Sequence, residues 1–225
     1  MLDKLLDKLH HFVRKARPYL PFTELNTAYR ILDKDGESIL DIGCGKGEPI
    51  KFINKDKRLD VVATDIFVPY LKGCKELGIY SDFVLCDIRF LPLKRKSIDV
   101  VLCLTVIEHL EKGEGEKLLR EMGEIARKQV IVSTPVGKYK QGVLDGNPYQ
   151  EHRYIWGPDE FRKRGYKVRG VGIRGILGDE GFRSRLPRVI QPLAWVLWIL
   201  AGPMVYFFPK LAGTQVCWKQ MENST

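Results

Sequence analysis

The chain has 225 residues, of which 44% are apolar and 29% charged, and this composition excludes global disorder, collagen-like repeats and a polytopic membrane protein. The length suits one domain with a substantial core. Lys and Arg outnumber Asp and Glu by 37 to 28, giving a formal charge of +9 and pointing to an acidic partner: nucleic acid, an anionic membrane or a phosphorylated substrate.

Residues 2–20 place Leu2, Leu5, Leu6, Leu9, Phe12, Val13 and Leu20 at helical spacing, with Lys4, Lys8, Arg14, Lys15 and Arg17 on the other face. The spacing predicts an amphipathic helix, either packed on the domain or lying on a membrane surface, ended near Pro18 and Pro21. Its Leu residues alternate with charges, which does not read as a secretory signal. From residue 38, short Val/Ile/Leu-rich runs (38–42, 60–63, 82–86, 98–104, 129–133) alternate with helix-like segments near 47–55, 68–77 and 113–128. Near-continuous apolar runs of this length predict strands buried on both faces of a parallel sheet. A Gly-, Pro- and Tyr-rich loop follows at 136–157, then a short helix at 159–164 and strands at 166–173 and 214–219. Between those strands, 189–209 is uncharged but broken by Pro192, Gly202 and Pro203, leaving a helical core near 193–201. That segment suits a buried or dimer-forming helix pair, one dipping into a membrane interface, or a span. Trp195, Trp198 and Tyr206, with Arg183, Arg185, Arg188 and Lys210 flanking, suit the interface.

The expected fold is therefore α/β: a doubly wound, mostly parallel, seven-stranded Rossmann-like sheet with an N-terminal helix and a hydrophobic helical insertion before the last strand. It forms one domain over 1–225, with a helical cap at 1–30, a cofactor-binding half at 38–135 and a substrate-side half at 136–225 carrying the insertion at 186–209. Cys44, Cys74, Cys86, Cys103 and Cys217 show no CxxC or Cys/His ligand spacing, so a reducing compartment and no zinc site are expected.

The chemistry concentrates after the first strand, in Asp41-Ile42-Gly43-Cys44-Gly45-Lys46-Gly47. Glycines here permit positive φ and close approach of a ligand to the backbone, at a helix N-terminus that favours an anionic group. Asp65 ends the next strand, twenty residues past Gly45, where a carboxylate can accept from both hydroxyls of a ribose. Asp87-Ile88 ends the third, where a carboxylate beside an apolar side chain can meet an adenine amino group and ring.

DIGCGKG, VATD, LCDIRFLP and SIDVVLCLTVIEHL together resemble the class I S-adenosylmethionine-dependent methyltransferases, in the small-molecule group with a Glu-His pair after the fourth strand. The resemblance spans 38–135 and, less specifically, EHRYIWGPDEFRKRGYKV. It implies that Gly43, Gly45 and Gly47 shape the loop around the methionine part of S-adenosyl-L-methionine, and that Asp41 bonds its ammonium or orders the loop. Asp65 would hold the ribose hydroxyls with Ile66 against the adenine, Asp87 the adenine amino group with Ile88 beside it, and Leu104 and Thr105 the methionine moiety. A metal-dependent branch uses Glu-x-x-Glu-His and a distant His; here Thr105 occupies the first Glu position, so no metal is expected even with His152 available. Glu108 and His109 are instead expected to orient the substrate-side loop. His152 is a candidate general base, and Tyr149, Tyr154 and Trp156 are candidate acceptor-pocket walls that could face a sulfonium.

The expected function is methyl transfer from S-adenosylmethionine to a small hydrophobic or lipid-linked acceptor by one in-line displacement. Rivals are a nicotinamide-dependent oxidoreductase, which leaves Asp87 and VIEHL unexplained, and a non-catalytic membrane-associated protein that binds the cofactor. Nucleic acid is not an expected partner, because neither an Asn/Asp-Pro-Pro-Tyr motif nor basic-aromatic interleaving occurs. Peripheral membrane contact and a homodimer remain open, and the expected location is cytoplasmic, at the inner face of the cell membrane. The charge divides unevenly: +3 over 1–20, −1 over 21–137, +6 over 138–188 and +1 over 189–225, so the excess lies outside the cofactor half.

Overall fold

The predicted strands at 38–42, 98–104 and 129–133 are built almost wholly from buried residues, and they form the middle of one sheet. The computed structural model describes residues 8, 11–12, 15–56, 58–137, 146–175, 187 and 190–222. The helix expected over 2–20 therefore falls largely outside the described residues, as do 138–145 of the predicted loop. The strands are β1 (Ser38–Ile42), β2 (Asp60–Asp65), β3 (Asp82–Leu85), β4 (Ile98–Leu104), β5 (Ala126–Pro135), β6 (Lys167–Ile173) and β7 (Ala212–Gln220). They form a seven-stranded sheet in the order β3-β2-β1-β4-β5-β7-β6. β1 to β5 run parallel, and β7 pairs antiparallel with both β5 and β6. The mixed sheet is the expected doubly wound, mostly parallel one. One chain reversal at its far edge turns β6 and β7 into an antiparallel pair.

The period-two alternation along the central strands divides the core between two faces. Leu40, Ile42, Val101, Cys103, Val130 and Val132 pack with Leu118 and Met122 of α4 (Lys112–Ile125), and with Trp156 and Phe161. Ile39, Val100, Leu102, Ile131 and Val216 pack on the other face with Ala28 of α1 (Glu24–Ile31) and Ile50 and Ile53 of α2 (Glu48–Ile53). α3 (Val68–Glu76) follows β2, and α5 (Pro158–Arg162) precedes β6. α1 was not foreseen as a separate helix. The boundary between α4 and β5 also moves: the helix ends at Ile125, because Ala126 takes extended angles (φ −68°, ψ 132°) and pairs with Ile98.

The apolar run forms α6 (Gln191–Leu200) and α7 (Gly202–Phe207), which lie against edge strand β6. A Cβ at Gly170 would stand 2.3 Å from the Val205 carbonyl oxygen, so the bare glycine is what lets α7 approach the strand. Among the described residues no helix is long and apolar enough to cross a membrane.

Candidate active site

The carboxyl ends of the parallel strands, where a doubly wound sheet has its natural crevice, border a cavity of about 390 Å³. Gly43, Cys44, Gly45, Asp65, Ile66, Asp87, Ile88, Leu104, Thr105, His109 and Tyr149 all line it. The loop after β1 has positive φ at Gly43 (66°), Gly45 (52°) and Gly47 (73°). At Gly43 a Cβ would come within 2.6 Å of Val106, whereas at Gly45 it would meet nothing within 4 Å, so the space over the loop is open to a ligand. Gly47 leaves the cavity wall and forms the left-handed N-cap of α2, against Leu77 and Cys74.

Asp65 ties this loop to β2. Its Oδ2 accepts from the Gly45 amide (3.0 Å) and its Oδ1 from the Phe67 amide (2.8 Å). Burial raises its pKa, and the amides of Phe67, Gly45 and Ile66 pull it back down. Asp41 lies beneath the loop, outside the cavity lining, and accepts from the Tyr80 hydroxyl at 2.8 Å. Its carboxyl is pushed up to about 7, chiefly by burial, with Tyr80 opposing and nearby Asp65 adding to the rise. Cys44 and Cys74 meet beneath the loop as well, with sulfurs 3.7 Å apart.

Asp87 reaches the cavity already engaged. Arg89 grips it through Nε (2.9 Å) and a second nitrogen (2.6 Å), and bonds Glu114 at 3.1 Å. This guanidinium holds the Asp87 carboxyl below the usual carboxylate range. Arg89, Glu114 and Tyr80 were not foreseen. Arg89 stood two residues beyond a singled-out Asp, whereas Tyr80 carried no local signal.

Thr105, at the end of β4, adopts φ +54°, a costly conformation for a β-branched residue. The Ser133 carbonyl (2.9 Å) accepts from the Thr105 amide, which also meets the Ser133 hydroxyl. Ser133 in turn donates to Glu24, whose pKa is raised by burial. The Glu-His pair follows on the 3₁₀ turn Ile107–His109. Glu108 is 3% exposed, and its carboxyl is pushed up to about 8 by burial. Its backbone carbonyl accepts from the amides of Arg153 (2.8 Å) and Tyr154 (3.2 Å), while His109 Nδ1 lies 3.1 Å from the Glu151 carbonyl oxygen. Burial lowers the His109 pKa, favouring the neutral ring. The pair thus fastens the 151–154 segment beside the cavity.

Three of the candidate substrate-side residues lie off the cavity wall. Trp156 is fully buried in the core, its Nε1 aimed at the Ile107 carbonyl, and does not border this cavity. Tyr154 packs edge-on against Trp156 and donates to Glu160, also off the cavity wall. His152 lies behind His109, ring centroids 5.1 Å apart, and is likewise not among the lining residues. The segment turns these three rings inward because the Glu108 carbonyl captures its backbone. Tyr149, by contrast, stays exposed at the cavity edge beside Asn147, Gln150 and Arg153. Donor atoms of Glu108, His109 and His152 come within 4.8 Å of one another, closer than the spacing suggested; Thr105 adds no carboxylate to that trio.

Residues 39–129 match the family model for a methyltransferase domain. The chain is 38% identical over 152 residues to Uncharacterized protein MJ1252 of Methanocaldococcus jannaschii, covering 65% of this chain. It spans 55% of the length of that relative. A SAM-dependent methyltransferase from Archaeoglobus fulgidus shares the fold, with TM-score 0.54, 16% identity and coverage of 96% of this chain and 94% of that one. So does magnesium protoporphyrin IX methyltransferase from Synechocystis, solved with bound SAM, with TM-score 0.53, 14% identity and coverage of 88% of this chain and 78% of that one. The glycine loop over open space, the carboxylates closing β2 and following β3, and the matched stretch that contains them agree on one assignment. Residues 39–129 therefore form a methyltransferase domain, set in the fold that S-adenosylmethionine-dependent methyltransferases of known structure share.

Proposed function

We propose that the protein transfers a methyl group to a small hydrophobic or lipid-linked acceptor. The cavity carries this reading. It joins the glycine loop, Asp65 and Asp87 on one side to Tyr149, Gln150 and Arg153 on the other, in a volume that holds a cofactor and opens toward an acceptor. When bound, the cofactor supplies a methyl on a positively charged sulfur. Gly43 and Gly45 would lie against its methionine part with Leu104 and Thr105, Asp65 would accept from its ribose hydroxyls, and Ile66 and Ile88 would sandwich its adenine. Asp87 would meet the adenine amino group while Arg89 keeps the carboxyl ionised.

In-line displacement asks mainly for alignment of acceptor atom, methyl and sulfur. His109 serves that need as a neutral ring fixed at the cavity wall. With His152 set behind it, the residues favour transfer to an acceptor that is already nucleophilic. The lipid-linked part of the proposal is supported by the apolar helices α6 and α7, which join the sheet at its cavity end: Val136, following β5, packs against Val205 and Ala212.

Calorimetric titration with S-adenosylmethionine and with NAD is expected to show binding of the first only. Incubation with methyl-labelled cofactor and separate lipid, protein and nucleic-acid extracts is expected to label the lipid extract. NAD binding without a response to S-adenosylmethionine would end this reading, and label confined to nucleic acid or protein would replace the acceptor class.

A further inference from the structure

We infer that the outer face of the α6–α7 pair is a docking surface for an anionic lipid membrane. From Pro192 to Leu200 α6 carries only apolar residues. Ala194 and Trp198 are buried and continue to Val205 on α7, forming an inner stripe held against β6. Leu193, Val196, Leu197 and Leu200 recur at i, i+3, i+4 and i+7 on the outer face, each 50–70% exposed. Met204, Phe207, Phe208 and Leu211 extend that face in chain order. A helix with two apolar faces and only one of them packed has a second surface to cover.

Charge selects the occupant. Residues 181–214 contain Arg183, Arg185, Arg188 and Lys210 and no Asp or Glu. The Arg17 guanidinium covers buried Trp198 (5.5 Å) and that of Arg169, on β6, lies over Tyr206 (5.2 Å), both on the packed side, while Arg174 is exposed just before the insertion. Lys210 shares its charge with Asp159 at 2.7 Å. An exposed apolar face in a stretch of sequence whose only charges are cationic matches acyl chains beneath anionic headgroups. A twofold homodimer through this face would bring two copies of this cationic stretch of sequence together. The depth is limited: ten residues of α6 span about 15 Å, half of a ~30 Å hydrocarbon core, so the pair lies in one leaflet.

The notion that docking presents a lipid-linked acceptor rests on the function proposed above; docking itself does not. The test is flotation of the full chain with vesicles of phosphatidylcholine alone or mixed with phosphatidylglycerol. Binding is expected to the mixed vesicles, weakened by salt, and to fall about tenfold or more in Leu197→Asp with Phe207→Asp, because inserted Leu and Phe side chains supply most of the apolar transfer energy. Unchanged affinity of the variant for S-adenosylmethionine shows that it is folded. Quenching of wild-type tryptophan fluorescence by brominated lipid gives a readout that needs no variant. Absence of both flotation and quenching overturns the inference, as does undiminished binding by the folded variant. A wild-type dimer that the variant converts to monomer, without vesicle binding, assigns the face to a second copy instead.

Discussion

The Gly45 amide donates to Asp65 Oδ2 across 3.0 Å, binding the glycine loop to the end of the neighbouring strand. One carboxylate therefore shapes the loop and faces the cavity at the same time. Asp65→Ala is expected to weaken S-adenosylmethionine binding by about 1–3 kcal/mol, roughly five- to 150-fold, through lost ligand and loop hydrogen bonds. Calorimetry checks it, and an unchanged dissociation constant removes Asp65 from the site.

Arg89 and Asp87 form a preassembled pair, so a bound cofactor would meet a carboxylate whose charge is already neutralised in part. Asp87→Ala is expected to weaken binding by about 1.5–3 kcal/mol, the worth of a hydrogen bond to a charged acceptor. Arg89→Ala should leave affinity within about threefold, since this pair is partly exposed and such contacts contribute little. A larger loss in Arg89→Ala than in Asp87→Ala would make the arginine the ligand.

Glu108 supplies a pH dependence. Its carboxyl titrates near 8 in the folded chain against an ordinary 4.5, so the folded state holds that proton more tightly. The associated stability is complete below pH 4.5 and is lost as pH rises through 8. Glu108→Gln mimics the neutral form. Its effect on thermal stability should be near zero at pH 5 and a gain of about 2–4 kcal/mol at pH 9.5. Equal effects at both pH values would show that Glu108 is ionised throughout.

Gly43 tests the fit of the loop against the β4 end. Gly43→Ala combines a left-handed backbone (φ 66°) with a Cβ 2.6 Å from Val106. The expected cost is about 2–4 kcal/mol from backbone and overpacking together. Adding Val106→Ala should recover the packing share and leave the backbone share. Denaturant unfolding of the single and double variants measures both, and no recovery would place the whole cost in the backbone.

The central sheet was legible because its strands are buried on both faces, so Val, Ile and Leu run almost unbroken through 38–42 and 98–104. The start of β5 was not: Ala126-Arg127-Lys128 continues a good helical sequence, and only pairing with β4 and β7 overrides it. α1 also carried a pattern, with Leu25, Ala28, Tyr29 and Leu32 at helical spacing, but it was submerged in the basic segment before it. At the site, carboxylates at strand ends announce themselves by position. Side-chain direction in an irregular segment has no period to reveal it, so Trp156 and Tyr154 could be placed near the cavity but not on the correct side of the backbone.

The insertion occupies a hairpin position. Ile173 and Ala212, at its two ends, are paired partners across β6 and β7. In topological terms the apolar helices are an overgrown turn, inserted where the paired strand ends already stand side by side. What that turn contains can change in length and chemistry while β1 to β4, which carry the glycine loop, Asp65 and Thr105, stay as they are. A lineage could thus exchange one location or acceptor for another by rewriting a single connection, keeping the methyl-donor half intact.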